Sequence, residues 1–441
     1  MGTERERISI LRFSMPIVFE NLLATSVSQV FNALVGGISY SSLTAIAQCN
    51  MVGTILAAIS NILVIGAQIL CSRMEGAGDI PGASRVVGQS LFLMIVGSAA
   101  VSVLLFIGAV PTLRLIMPNA DPELLSDAKI YFRIIMLSMP SMLIYNLLQG
   151  TIRNTGDSRT PMIVNIAVYA VMLGGTILFV RVLKMGVAGA GLSMLLCRMV
   201  GAVFAYIMIL HNRRYHIISR NIFRPQADVS RRIFRLGLPA SLESVFVQLG
   251  YLLGNSLVIG LGAYQAAVYN VANSLYGLSA VPQGIFSTIS LTVVGQLIGA
   301  KDYKAAKKTG WKLWAAAEGL SVVLALIVLA LRYRLAPLYA ADAEVQIGAA
   351  QVTLFSLMLG IPGASLNSLD PQLRVGGDVR YVMIVTMIAV WAIRLPLTWL
   401  FCYHWTMGAA GVFLANMISL CFRMILNMIR YIKGKYLYMQ V

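Results

Sequence analysis

Two glutamates, Glu20 and Glu243, each follow by four residues a proline that opens an apolar run: Pro16-Ile17-Val18-Phe19-Glu20 and Pro239-Ala240-Ser241-Leu242-Glu243. A carboxylate at membrane depth is costly, so such a group is a functional candidate by default. One chemistry open to the pair is alternating binding of a proton or Na+ and of a cationic substrate. The other is structural, because negative charge is favoured near a helix N-terminus and water is close there. Both readings stand for each residue.

Uncharged polar residues extend the candidate site. Asn21, Gln29, Asn32, Gln48 and Asn50 lie in the first two apolar runs, and Gln248, Asn255, Asn270 and Asn273 in the seventh and eighth. Amides avoid lipid, so these should face a cavity or another helix. Asp370, in Asn367-Ser368-Leu369-Asp370-Pro371, reads as an ion-site candidate or, in preference, as a turn start, since Asp before Pro commonly opens a turn. Arg394 and Arg198 fall within apolar runs and are read as structural intramembrane charges that need a carbonyl, a carboxylate or water. Pro140, Pro282 and Pro362 should interrupt runs four, eight and ten, which makes them hinge candidates, a static kink being the more usual outcome. Asp157 and Asp378 are expected N-caps. No phosphate-binding loop or H-E-x-x-H pattern occurs, His211, His216 and His404 are scattered, and the five cysteines show no metal-ligand spacing. No enzyme, metal site or cofactor is indicated, and an ion gradient is the energy source left.

The elements that hold these residues follow from composition. Of 441 residues, 58% are hydrophobic and 12% charged, against roughly a quarter charged in a soluble domain. Twelve continuous apolar runs are each long enough to cross a hydrocarbon core of about 30 Å, and they lack period-two alternation. The expected fold is an all-α polytopic membrane protein. The spans read as 14–38, 43–72, 86–109, 130–151, 161–180, 187–210, 236–261, 265–297, 312–331, 348–369, 381–402 and 408–430. On this layout 25 basic residues lie on one side and six on the other. The positive-inside rule then puts both termini in the cytoplasm and accounts for the net charge of +17 without nucleic acid. The first run has no cleavage site and serves as its own insertion signal.

A repeat organises the chain. An offset of 223 carries Pro16 to Pro239, Glu20 to Glu243, Asn32 to Asn255, Gly37 to Gly260, Asn50 to Asn273, and Gly76-Ala77-Gly78-Asp79 to Gly299-Ala300-Lys301-Asp302. An offset of 221 carries Arg153, Gly156, Asp157 and Arg159 to Arg374, Gly377, Asp378 and Arg380, and places Asp370 opposite Gln149. Two six-helix bundles, 1–212 and 236–441, joined by a basic cytoplasmic connector over 213–235, are expected around a central cavity. An even number of spans per half gives both halves the same orientation, hence a pseudo-two-fold axis along the membrane normal.

These motifs, in this order, resemble the multidrug and toxic compound extrusion (MATE) transporters of the multidrug/oligosaccharidyl-lipid/polysaccharide flippase superfamily. The carriers are Pro16 and Pro239, the two G-A-x-D loops, Arg153 to Pro161 with its copy at Arg374 to Arg380, Gly186-Val187-Ala188-Gly189-Ala190-Gly191, and the stretch from Gly262 to Gly299. The resemblance implies an antiporter in the plasma membrane that exports amphipathic, often cationic organic molecules in exchange for Na+ or H+. A monomer is expected. Asn32 stands where many members resembling this chain carry an acid, and Val247, beside Gln248, where a deeper acid is usual. A lipid or lipid-linked sugar flippase is the alternative, for which a more cationic cavity is expected.

Overall fold

The computed structural model describes residues 10–35, 40–117, 122–211, 226–340 and 342–439. Arg5, Arg7, Gly37, His216 and the connector residues Arg213, Arg214, Arg220 and Arg224 lie outside the described residues. The described chain is helical, with short turns and no strand among the described residues.

Twelve long helical segments follow one another. They are α1 (Ile10–Val35), α2 (Tyr40–Ala77), α3 (Ile80–Ile107), α4 (Pro122–Asn154), α5 (Arg159–Val182), α6 (Gly186–His211), α7 (Ala227–Ile259), α8 (Ala263–Gly299), α9 (Tyr303–Leu338), α10 (Ala343–Leu357 and Gly360–Val375), α11 (Val379–His404) and α12 (Gly408–Lys433). Ten of these helices, or eleven with the bent α10 taken as one, are long and apolar enough to cross a membrane. Several overshoot the expected spans. At 1.5 Å per residue the 38 residues of α2 extend about 57 Å, well beyond a hydrocarbon core of about 30 Å. Arg73, Arg85, Lys304, Lys307 and Lys308, expected in loops, therefore ride on helix ends, where the backbone stays hydrogen-bonded as it leaves the lipid.

The chain divides into two compact units, Met1–Ser241 and Leu242–Val441. In the first, Phe31, Cys49, Phe132, Val168 and Cys197 bring α1, α2, α4, α5 and α6 into one core. In the second, Tyr269 of α8 stacks on Phe413 of α12 with ring centroids 5.0 Å apart, within a core that also holds Val258 and Cys402. The first turns of α7 pack on α2: Ser241 Oγ donates to the Ala58 carbonyl at 2.5 Å. A Cβ at Gly237 would lie 1.7 Å from the Ile62 carbonyl oxygen, and one at Gly66 2.4 Å from that of Ile233. Residues 227–235, expected in the connector, are thus helical with Ile233 buried, and the exposed Arg231, Arg232 and Arg235 belong to α7.

The repeat is visible in the turns. Asp79 caps α3 by accepting from Gly82 N at 2.9 Å, and Asp302 caps α9 by accepting from Ala305 N at 3.0 Å. The ends of α5 and α11 are closed alike: Leu178 O accepts from Leu183 N and Phe179 O from Met185 N, as Leu400 O does from Trp405 N and Phe401 O from Met407 N. Gly186 and Gly408 then share a φ of 57°, the left-handed region that glycine tolerates best.

The prolines behave unequally. α4 runs continuously through Pro140, and α8 passes Pro282 without a break. Among the described residues, the one span-length pair bent at a break is α10, by 42° between Leu357 and Gly360. Pro362 follows directly and has no N–H for the Met358 carbonyl, which accounts for a bend at this point.

Candidate functional site

In the first unit Glu20, on α1, meets Arg153 at the end of α4 and Asn165 on α5. Arg153 Nη2 lies 2.5 Å and Asn165 Nδ2 2.6 Å from Glu20 Oε1. Tyr145 donates its hydroxyl to Asn165 Oδ1, and Gln149 Oε1 stands 3.4 Å from Arg153 Nη2. Glu20 Oε2 is buried and has no hydrogen-bond partner.

The second unit repeats this arrangement and adds to it. Arg374 Nη2 is 2.8 Å from Glu243 Oε2, and Thr386, at the offset position of Asn165, donates to Glu243 Oε1 at 2.9 Å. A second guanidinium, Arg423 of α12, lies 3.3 Å from Glu243 and 2.7 Å from Asp370, and Asn427 donates to Asp370 at 2.6 Å. Asp370 is therefore no turn start: it sits inside α10, five residues ahead of its end, buried and held by an arginine. The two additions balance. Where the second unit has Asp370 and Arg423, the first has neutral Gln149 and, at the 222 offset of the α6 and α12 starts, Gly201. A Cβ at Gly201 would already lie 3.0 Å from Val168 and 3.2 Å from Tyr145, so the first unit has no room for the added arginine. Each cluster has equal numbers of carboxylates and guanidiniums, as burial requires of charge.

Other expectations divide. Asp157 accepts from the Arg159 and Thr160 amides at the start of α5, as a cap should. Asp378 instead pairs with Arg430 Nε at 2.5 Å and makes no capping bond. Buried Arg394 lies 4.1 Å above the Tyr251 ring, so its partner is an aromatic face. Arg198 donates to the buried Ser138 hydroxyl at 2.6 Å.

The amides form a second group. Asn32 of α1 is exposed on its unit, as are Asn255, Asn270 and Asn273 of α7 and α8, whereas Gln48 and Gln248 are half-buried. None of the six has a side-chain hydrogen bond within the described residues. Asn50 does, accepting from Tyr131 at 3.2 Å. The clusters and the exposed amides are thus separate features.

Sequence reasoning missed the clamps themselves, although Glu20 with Arg153 and Glu243 with Arg374 recur at almost one offset. It also missed Glu318, in the middle of α9, which accepts from the buried Ser365 hydroxyl and has no cationic partner among the described residues. A lone acid in an apolar run was the available signal.

The sequence pattern described as MatE matches residues 16–175 and 239–400, one stretch per repeat, and the chain belongs to this family of membrane transporters. It is 23% identical to the "Probable multidrug resistance protein NorM" of Thermotoga maritima over 98% of this chain and 93% of that protein. It is 22% identical to the "Uncharacterized transporter YisQ" of Bacillus subtilis over 92% and 90%. Its fold is similar to that of a structure described as the outward-facing conformation of a multidrug resistance MATE family transporter of the MOP superfamily, with a TM-score of 0.87 at 19% identity over 98% of this chain and 96% of that one. A Pyrococcus furiosus MOP superfamily transporter, described as having a binding pocket of reversed polarity that suggests a different function, gives 0.87 at 19% with both chains covered in full.

Proposed function

We propose that this chain is a secondary active multidrug efflux transporter that exports amphipathic, cationic organic molecules by alternating access in exchange for H+ or Na+. It acts as a monomer in the plasma membrane, with both termini in the cytoplasm. The observation that carries this reading is the set of unpartnered amides on span-length helices, Asn32 on α1 and Asn255, Asn270 and Asn273 on α7 and α8. A side-chain amide facing hydrocarbon has nothing to bond, so within each unit these faces meet a polar path rather than lipid. Neutral amides among apolar residues suit amphipathic molecules of varied shape, and the relatives' multidrug names support the same class.

Coupling falls to the carboxylates. Glu20, with one buried oxygen free, can accept a proton or help ligate Na+, and Arg153 can shift its hold as it does so. Glu243 occupies the matching position under two guanidiniums. Glu318 offers a carboxyl with no arginine to displace. The flippase reading keeps one supporting observation: Arg198, in the middle of α6, has a neutral partner and could meet a phosphate.

The test is efflux of a fluorescent organic cation from proteoliposomes by Asn32→Leu and Asn255→Leu variants. A loss of transport with unchanged thermal stability supports the amide path. Full transport by the double variant rejects it.

A further inference from the structure

The α4 end opposite the Glu20 clamp carries two cations that take no part in the carboxylate clusters. Lys129 and Arg133 are four residues apart and so share a helix face, where like charges repel. With Phe106 of α3 and Ser126, Ile130 and Leu137 of α4 they line a groove of about 470 Å3. The Arg133 guanidinium lies 5.4 Å from the Phe106 ring centroid, and its Nε is buried without a hydrogen-bond partner. Neither cation is paired with a carboxylate among the described residues. Two unmatched cations beside an apolar span call for an anion. The rim of the groove is apolar and outward-facing: Leu137 is 59% and Ile130 45% exposed.

We propose that this groove binds the headgroup of an anionic phospholipid, with its phosphate between Lys129 and Arg133. The Ser126 hydroxyl adds a donor, and the acyl chains lie along Phe106, Ile130 and Leu137. Depth agrees: Lys129 and Arg133 follow Pro122 by roughly 10 and 16 Å of helix, where long basic side chains reach back to the headgroup layer. A soluble anion has no reason to favour a groove with an apolar rim, whereas a lipid satisfies both halves of it. On the orientation proposed above, the lipid belongs to the non-cytoplasmic leaflet.

Native mass spectrometry of the full chain, titrated with phosphatidylglycerol or with phosphatidylcholine of the same acyl chains, tests this. The wild type should retain phosphatidylglycerol preferentially, and Lys129→Gln with Arg133→Gln should weaken that binding on the order of thirtyfold, the effect of removing two basic residues beside an anionic headgroup. Each single variant should lose about fivefold, so the test stands if the double variant does not fold. The charge-conserving Lys129→Arg should keep the preference. Equal retention of the two lipids by the wild type, or unchanged phosphatidylglycerol binding in the glutamine variants, overturns the proposal. So does displacement of the bound lipid by millimolar inorganic phosphate, which would make the groove a free-anion site.

Discussion

Arg423 Nη2 stands 2.7 Å from Asp370 Oδ2, and this ion pair exists in only one of the two repeats. The first unit replaces both partners with uncharged residues, Gln149 and Gly201. Acid and base were thus exchanged together, as expected when each alone would leave a buried charge.

Asp370→Asn should therefore destabilise the protein by about 3 kcal/mol, because Arg423 keeps only the longer contact to Glu243. Adding Arg423→Ala should recover part of that loss. Thermal unfolding in detergent across the double-mutant cycle measures the coupling, and strictly additive losses would contradict the pairing.

The two glutamates should respond unequally to neutralisation. Glu243→Gln leaves two guanidiniums with Asp370 alone, while Glu20→Gln leaves a single arginine that is 18% exposed. Glu243→Gln is expected to lower the melting temperature more, and the reverse order would count against the charge balance described for the clusters.

Gly237→Ala places a methyl group inside contact distance of the Ile62 carbonyl, forcing α7 and α2 apart. Overpacking of this kind costs typically about 1–3 kcal/mol. Gly97→Ala meets no atom within 4 Å and serves as the control that should be neutral or stabilising. Equal melting temperatures for the two variants would refute a close crossing.

Pro362→Ala restores an N–H opposite the Met358 carbonyl and should reduce the 42° bend in α10. Pro140→Ala, in an unbroken helix, should change little. Spin-label distances across Leu357–Gly360 check the geometry. If the efflux rate is also altered by Pro362→Ala alone, the bend takes part in the cycle.

Helix number and the repeat were legible because lipid leaves no alternative to continuous apolar helices and because duplicated loops keep their register. Helix ends were less so. Segments such as α2 and α7 continue past the hydrocarbon, where hydropathy falls but backbone bonding does not. Asp370 was misjudged for a local reason: Asp-Pro usually opens a turn, and only the arrival of Arg423 and Asn427 from α12 makes it a helix-interior ion pair. Asp378 does stand at the N-cap position of α11, but its carboxylate pairs with Arg430 and not with the helix amides. Partners distant in sequence decided both cases, and local pattern does not carry them.

The most direct measurement is efflux of a fluorescent organic cation from proteoliposomes holding the full chain, with Na+ and proton gradients imposed separately. The account predicts efflux driven by one of the two gradients and lost in the Glu20→Gln, Glu243→Gln variant that still folds. Efflux indifferent to both gradients, or full coupled efflux by that variant, would contradict it.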